Sequence, residues 1–434
     1  MDCFDSKTEA LTHSGWKFFA DLRPGDMLAT VNLETDLIEY QSPQQLISRH
    51  YQGPMLTVCG TRLNFSVTPN HRMVTFKKVF DRSTRKWRFD VPAEITLAKD
   101  LTIHHTIKIR ANWQGNETVV VTIPASVKHC SRNIIHPQRR VCAKIFAEFL
   151  GWYAAEGCCR IVAVGGSVMR SVSIAQTKPS GRARITELLD QLPWTWHWTK
   201  TCATISCKQL YDYIQHECPG LHHEKKVPQW IKDADKEVIA AFLNGAIAGD
   251  GWIQNGYRNY ASTSKRLADD VAELFFKLGG SPSVTLRLYD GWKIGENSGV
   301  ITLPQYHVRE NNGRKSAALD GKGRQFMVKA RDYDGMVYCA TVPNGTLVVR
   351  RAGKMIVAGN CHVYSRAAAA AAGLDRFEER HWLELKKQLG INPPDKPSRV
   401  QTFDPAQATE QGGLVNSGSQ KSVRRVIKSR WLSS

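Results

Sequence analysis

Apolar and polar positions along this chain change rhythm twice. Over residues 3–76 they alternate in short runs separated by turn residues, as in DMLATVNL, MLTVCG and RLNFSVTPNHRMVTF, a pattern that predicts strands. From Val141 the apolar positions recur at helical spacing in VCAKIFAEFLGWYAAEG, ARITELLDQL, KEVIAAFLNGAIAGDG and SKRLADDVAELFFKLGG, with strand-like SVSIAQ and CATISC between them. After about Lys329 the alternation returns in MVYCATVP, GTLVVRRAG and KMIVAG. A β-rich domain is therefore predicted to be split in sequence by an α/β insert. Beyond Cys361, YSRAAAAAA and LDRFEERHWLELKKQLG predict helices, before INPPDKPSR and GGLVNSGSQ break the order. The closing KSVRRVIKSRW is either a nucleic-acid-binding arm or a solvated basic tail.

Composition sharpens this layout. With 434 residues, 42% of them hydrophobic, the chain is long enough for more than one cored domain. No run approaches the roughly 20 apolar residues of a membrane span, and MDCFDSKTEA has neither a basic region nor an apolar core, so no membrane partner and a cytoplasmic location are expected. Lys and Arg number 59 against 40 Asp and Glu, a net charge of +19 that favours a polyanion, with nucleic acid the first candidate. The 11 cysteines show no paired zinc spacing and are expected to be reduced. In KKVFDRSTRKWRFD, Lys77, Lys78, Arg82, Arg85, Lys86 and Arg88 surround Phe80, Trp87 and Phe89. This reads as a basic hairpin or loop, either contacting DNA phosphates or lying as an ordinary charged surface.

Candidate chemistry begins with Cys3 and Cys361, the second directly after Asn360. A thiol at each end of a long insert, with an asparagine before the second, is the chemical minimum for self-excision. Cys3 attacks its preceding carbonyl, Cys361 takes the acyl group, and Asn360 cyclises. Because an amide resists a neighbouring thiol, the first step needs groups that polarise the bond and protonate the leaving nitrogen. Thr68 and His71 in VTPNHRMV suit that task.

These strings resemble an intein. CFDSKTEALTHSGWKFFADLRPGDML is similar to the N-terminal splicing block, VTPNHRMV to the second, and VYCATVPNGTLVVRRAGKMIVAGNC to the C-terminal pair. The resemblance implies an all-β, horseshoe-shaped Hint splicing domain whose substrate is its own flanks. By position it makes Cys3 the first nucleophile, Thr68 and His71 assistants of the N-to-S acyl shift, Cys361 the second nucleophile and Asn360 the residue that cyclises. Two positions depart from the usual pattern. Gly359 replaces the histidine before the asparagine, and Cys339 stands where aspartate is frequent, as a proton relay or thiolate or else a small buried strand residue.

FLGWYAAEG and LNGAIAGDG form a weak internal repeat, each a helix ending in an acid and glycine. Gly151 and Ala155, like Gly245 and Gly249, lie at i and i+4 and leave one smooth face per helix. Packing these faces together places Glu156 and Asp250 side by side at helix C-termini, where like charge and the macrodipole disfavour carboxylates. A shared divalent cation would relieve the conflict. From about Val141 to Lys329 the chain resembles the LAGLIDADG homing endonucleases. The resemblance implies two pseudo-symmetric αββαββα-like halves forming a saddle over duplex DNA. It also implies Mg²⁺ held by Glu156 and Asp250, with a basic helper at Lys225 or Lys226, the latter preferred, and at Lys265.

The joined flanks, MD-CHVYSRAAAAAAGLDRFEERHWLELKKQLG, resemble the nuclease region of lambda-like phage terminase large subunits, implying a phage or prophage protein. The expected layout is a flank at 1–2, splicing-domain parts at 3–140 and 330–360, an endonuclease at 141–329, and a helical flank at 361–434. Within the first splicing part, a basic DNA-contacting extension is expected from about 77 to 140. The expected activity is self-splicing plus site-specific cutting of an intein-less allele by a monomer. A decayed endonuclease that only binds DNA, and a Hint protein that cleaves without ligating, are the alternatives.

Overall fold

The computed structural model describes residues 2–361 except 85, 89–91, 129–133, 165–166, 220–222, 290–291, 295–296, 300–302, 312–314 and 322–324. Beyond Cys361 it describes only Glu378, His381 and Glu384. Met1–Cys361 forms one compact unit and His362–Ser434 a second. In the second, the Glu378 N–H donates to His381 Nδ1 at 3.0 Å. The terminase-like flank and its helices otherwise lie outside the described residues.

Strands dominate the first unit. The longest, Gln45–Cys59, pairs antiparallel with Lys329–Thr341 along the whole length of the latter, Lys329 opposite Thr57 and Thr341 opposite Gln45. With Phe4–Asp5 and Asn64–Val67 they close a small barrel. Phe4 lies opposite Tyr338 on one side and Val67 on the other, so the N-terminal strand is gripped between segments far away in sequence. A second, fourteen-stranded sheet contains the hairpin Thr346–Arg351/Lys354–Gly359, whose last residue leads into Asn360. Its turn places Ala352 and Gly353 at φ +46° and +71°, the left-handed pair that a two-residue hairpin turn demands. The split β-rich reading of the sequence thus matches the strands at both ends of this unit.

Between them the described residues form six helices: α1 (Ala143–Glu156), α2 (Pro179–Asp190), α3 (Lys208–Glu217), α4 (Gln229–Asp233), α5 (Lys236–Asp250) and α6 (Lys265–Lys277). Their starts are locally encoded. The Asp235 carboxylate accepts from the N–H groups of Glu237 and Val238, and Ser264 Oγ accepts from the Leu267 N–H at 3.1 Å. Pro179 occupies the first turn of α2, where no N–H is missed. After α1 the order is strand, strand, α2, strand, strand, α3. After α5 it is strand, strand, α6 and further strands, with no closing helix among the described residues. The sequence pattern anticipated α1, α2, α5 and α6 but not α3 or α4.

α1 and α5 meet backbone to backbone. A Cβ on Gly151 would lie 2.1 Å from the Phe242 carbonyl oxygen, one on Gly245 2.3 Å from that of Glu148, and one on Gly249 2.4 Å from Ala155 Cβ. No side chain fits at these positions, which is why the smooth faces read from the sequence are small. One hydrophobic cluster runs from this helix pair to strand residues Leu11, Val31 and Val348, so the helices share a core with the strands at the chain's ends.

Charge also crosses that seam. Asp269, Asp270, Glu273 and Lys277 of α6 are all buried. Lys232 Nζ lies 2.8 Å from Glu273 and 3.3 Å from Asp270, Lys277 Nζ lies 2.8 Å from Glu273, and Tyr40 Oη donates to Glu273 at 3.0 Å. His13 Nε2 meets Asp233 at 3.0 Å. A charged helix face, the usual mark of solvent, here marks an interior contact.

Candidate functional site

The barrel collects the sequence-predicted reactive groups in one buried place. Cys3, Thr68, His71, Cys339, Asn360 and Cys361 are all buried. Thr68 directly follows the strand Asn64–Val67, which pairs with Phe4. Its Oγ1 accepts the Cys3 N–H at 3.0 Å, and its own N–H donates to the Cys3 carbonyl at 3.0 Å. The Asp2–Cys3 amide is therefore held by a hydroxyl at its nitrogen. The His71 N–H donates to the Thr68 carbonyl at 3.0 Å, closing a turn that fixes histidine and threonine together. The His71 ring packs edge-on against Phe4 with centroids 4.2 Å apart.

Electrostatics suit proton movement. A hydrogen bond with Cys361, burial and mutual repulsion push the Cys3 thiol well above the usual thiol range. Cys339 is raised likewise, first by burial and then by its hydrogen bond to Cys361. Cys3 and Cys339 are thus protonated at neutral pH, and each hydrogen-bonds with Cys361. Burial lowers the His71 imidazole to about 4, against the opposing pull of the Asp2 backbone. His71 is accordingly neutral at pH 7 and free to accept a thiol proton. Among the described residues neither ring nitrogen makes a hydrogen bond of good geometry.

At the other junction Asn360 Nδ2 donates to the Val342 carbonyl and the Asn360 N–H to the Gly345 carbonyl, both at 2.9 Å. Thr341 Oγ1 donates to the Cys361 carbonyl at 3.2 Å. These contacts come from the turn TVPNG, which the sequence reading did not single out. Gly359 has a physical reason for its identity. A Cβ there would lie 2.6 Å from Arg72 Cβ and 2.8 Å from the Arg72 carbonyl oxygen, because Ala358 pairs with Met73 and draws the strands together. A histidine before the asparagine has no room in this backbone.

The second constellation lies at the C-terminal ends of α1 and α5. Lys225 Nζ donates to the carbonyls of Tyr153 (2.9 Å), Ala154 (3.1 Å) and Gly157 (2.7 Å), capping α1 with a buried cation. Asp250 is open to solvent on one side, yet crowding by protein and then repulsion from Glu156 push its carboxyl up to about 7, with Lys225 opposing. The expected pairing of Glu156 and Asp250 is present, and it is strained by like charge. A cavity of about 200 Å³ beside Asp250 is lined by Ala154, Ala155, Ser262, Thr263 and Gln305 among others. No group of three or more metal-ligating side chains exists among the described residues. Two carboxylates nevertheless fit Mg²⁺, which characteristically takes one or two from protein and completes its shell with water and phosphate oxygens.

Several expectations need correction. Lys225, not Lys226, is the lysine whose charge reaches Asp250. Lys265 does not serve the acidic pair, since its Nζ lies 2.7 Å from Asp269 and 3.7 Å from Glu9. Lys78 is largely covered, donating to the Ile103 carbonyl at 3.2 Å and facing Asp320 at 3.7 Å, which removes it as a free phosphate contact. The basic hairpin forms, with Lys86 opposite Asp81 and Arg88 opposite Val79. Lys77 and Arg82 are exposed. Arg85 and the side chains of Lys86 and Arg88 lie outside the described residues.

Residues 237–314, spanning α5, α6 and the strands around them, match the family described as LAGLIDADG-like domain. The chain is similar to the C-terminal section of the DNA-directed RNA polymerase subunit beta of Stigeoclonium helveticum, 22% identical over 83% of this chain and 36% of that protein. It is also similar to the ATP-dependent Clp protease proteolytic subunit of Chlamydomonas moewusii (26%, over 67% and 29%). A further likeness is to the ribonucleoside-diphosphate reductase subunit beta of Aquifex aeolicus (24%, over 83% and 50%). It spans between 29% and 50% of the length of these relatives. Among solved structures, I-DmoI in complex with DNA and Mn is 18% identical over 39% of this chain and 90% of that one, with a TM-score of 0.29. A splice-inactive AceL NrdHF class 3 split intein is 10% identical over 48% and 99%, with a TM-score of 0.21.

The depressed His71 pKa has a thermodynamic signature. Its folded value lies below the unfolded one, so the unfolded chain binds the proton first on acidification. Stability is complete above about pH 6.5 and falls as pH drops towards 4, by on the order of 3 kcal/mol. Urea unfolding of a Cys3→Ala/Asn360→Ala background should show that slope, and His71→Gln should flatten it. Gly359→His should destabilise the protein by about 1–3 kcal/mol through overpacking against Arg72. Cleavage at Asn360 should then be slower, so a faster rate in that variant would contradict the steric account.

Proposed function

We propose that residues 3–360 are a self-splicing intein with the expected Hint fold, and that its LAGLIDADG-like domain is a Mg²⁺-dependent homing endonuclease. The observation that carries the first claim is the burial of both junctions in one cluster, with Thr68 Oγ1 on the Cys3 N–H at 3.0 Å. The relatives add support. A polymerase subunit, a protease subunit and a reductase subunit share no reaction, yet each is similar to 67–83% of this chain. An element carried inside each of them accounts for that likeness, and their own activities do not.

The chemistry follows from the groups present. Cys3 Sγ attacks the Asp2 carbonyl carbon while its proton passes to neutral His71. The Asp2–Cys3 C–N bond breaks as His71 returns the proton to the nitrogen that Thr68 orients. Cys361 Sγ then attacks the thioester and Cys3 leaves as a thiol. Asn360 Nδ2 attacks its own carbonyl carbon, the bond to the Cys361 nitrogen breaks, and the insert departs with a terminal succinimide. The freed Cys361 amine takes the acyl group from its own sulfur, leaving an ordinary Asp2–Cys361 peptide. Cys339, hydrogen-bonded to Cys361, serves as a relay for the thiol proton.

For the endonuclease, Glu156 and Asp250 would hold the cation, which supplies water activation and neutralises charge on the cut phosphate. The raised Asp250 carboxyl must lose its proton to bind, so cation affinity increases through about pH 7. Lys225 orients the end of α1 from which Glu156 projects. The excess positive charge serves duplex DNA, here the intein-less host allele, which on the resemblance of the flanks is a terminase-like gene.

In an Asn360→Ala background, thiol-induced cleavage after Asp2 isolates the first step. His71→Ala should slow it by at least about a hundredfold, the range for a lost general acid–base group. An unchanged rate would remove His71 from the mechanism. Mg²⁺-dependent double-strand cutting of the joined host sequence should vanish in Asp250→Asn, and equal cutting by that variant would cancel the assignment of the acid.

A further inference from the structure

The hairpin that ends at Asn360 is tied on both faces by charge. Arg351 Nε donates to Asp5 at 2.9 Å, two residues beyond Cys3. Arg350, its neighbour on the other face, is buried and stacks over Trp16 with 4.4 Å between its charge centre and the ring. Its guanidinium is bidentate twice over. Nε and Nη2 donate to Glu9 at 2.7 and 2.9 Å, and Nη1 and Nη2 donate to Asp269 at 2.5 and 3.0 Å.

Glu9 belongs to the strand paired directly with Arg350. Asp269 does not. It comes from α6, inside the segment matched as a LAGLIDADG-like domain. The same segment touches the hairpin a second time. Ser283 pairs with Lys354, the Val284 N–H donates to the Gly353 carbonyl at 3.0 Å, and a Cβ on Gly353 would lie 1.9 Å from the Val284 carbonyl oxygen. A sheet carrying strands of the LAGLIDADG-like domain therefore runs without a break into the strand whose end is the C-terminal junction.

We propose that Asp269 is a positioning residue for cleavage at Asn360: by sharing Arg350 with Glu9 it fixes the strand Lys354–Gly359, so the LAGLIDADG-like domain is a working part of the splicing fold. The inference rests on the splicing reading above. Arg350 is buried beside Glu9, Asp269 and Lys265, so two cations face two carboxylates. Removing the charge of Asp269 leaves the cluster one positive charge in excess and the buried guanidinium short of an acceptor, and the hairpin gains by shifting towards water. That shift moves Asn360, whose cyclisation depends on the approach of Nδ2 to its own carbonyl. The Cys3–Thr68 hydrogen bond belongs to the barrel, outside the Arg350 cluster, so the first junction is spared.

The test uses the full chain and follows both steps in the same samples. Thiol-induced release after Asp2 reports the first junction, and the terminal succinimide, quantified by mass spectrometry, reports the second. Asp269→Asn should slow cyclisation about tenfold while changing the thiol-induced step less than about twofold. Asp269→Glu, which keeps the charge, should recover most of the loss. Equal cyclisation in wild type and Asp269→Asn overturns the inference, as does a joint fall of both steps that Asp269→Glu fails to rescue. A wild-type chain that forms no succinimide at all sinks the splicing reading instead.

Discussion

The grip on Phe4 is the constraint from which the rest follows. A two-residue strand contributes little by itself, but Phe4 is paired with Val67 and Tyr338 at once, and the barrel closes through it. Thr68 follows Val67, and Cys339 follows Tyr338. Closing the barrel therefore delivers the threonine, the histidine and a third thiol to Cys3 without any further device. The entropic cost of joining such distant segments grows only slowly with loop length, about 0.6 kcal/mol per doubling, so a large insert between them is tolerated.

Close backbone approach recurs wherever the parts of the molecule join. Gly151, Gly245 and Gly249 let α1 and α5 touch, Gly353 admits Val284, and Gly359 admits Arg72. Each allows main chains to meet where a methyl group would intrude. Buried ion pairs add further joints, with Arg350 and Lys232 answering the acids of α6. Such pairs confer register more dependably than they confer stability. That fits a protein whose reacting atoms must meet within tight limits.

Much of this was legible in the sequence, because alternation and helical periodicity follow directly from burial. The strands flanking Cys3 and Asn360 and the helices α1, α2, α5 and α6 correspond to those patterns. So does the meeting of Glu156 with Asp250, which small residues at i and i+4 made readable. α3 and α4 escaped because both are short, Lys208–Glu217 and Gln229–Asp233. The role of Lys225 over Lys226 turns on which side of one strand-like segment faces the end of α1, and residue type does not record that. The interior position of the α6 charges was hidden for a sharper reason. Asp269, Asp270 and Glu273 read as solvent-facing unless their partners, Arg350 and Lys232, are known to lie opposite. The absence of histidine at Gly359, a departure from pattern in sequence, became a steric necessity once Arg72 was placed beside it.

The central claim is that both junctions react. Intact-mass spectrometry of the freshly expressed chain over time measures it directly. The account predicts the full-length mass giving way to two products, the insert Cys3–Asn360 bearing a succinimide and a ligated chain in which Asp2 is joined to Cys361. A single full-length mass persisting after prolonged incubation, the same in wild type and in Cys3→Ala, would contradict it.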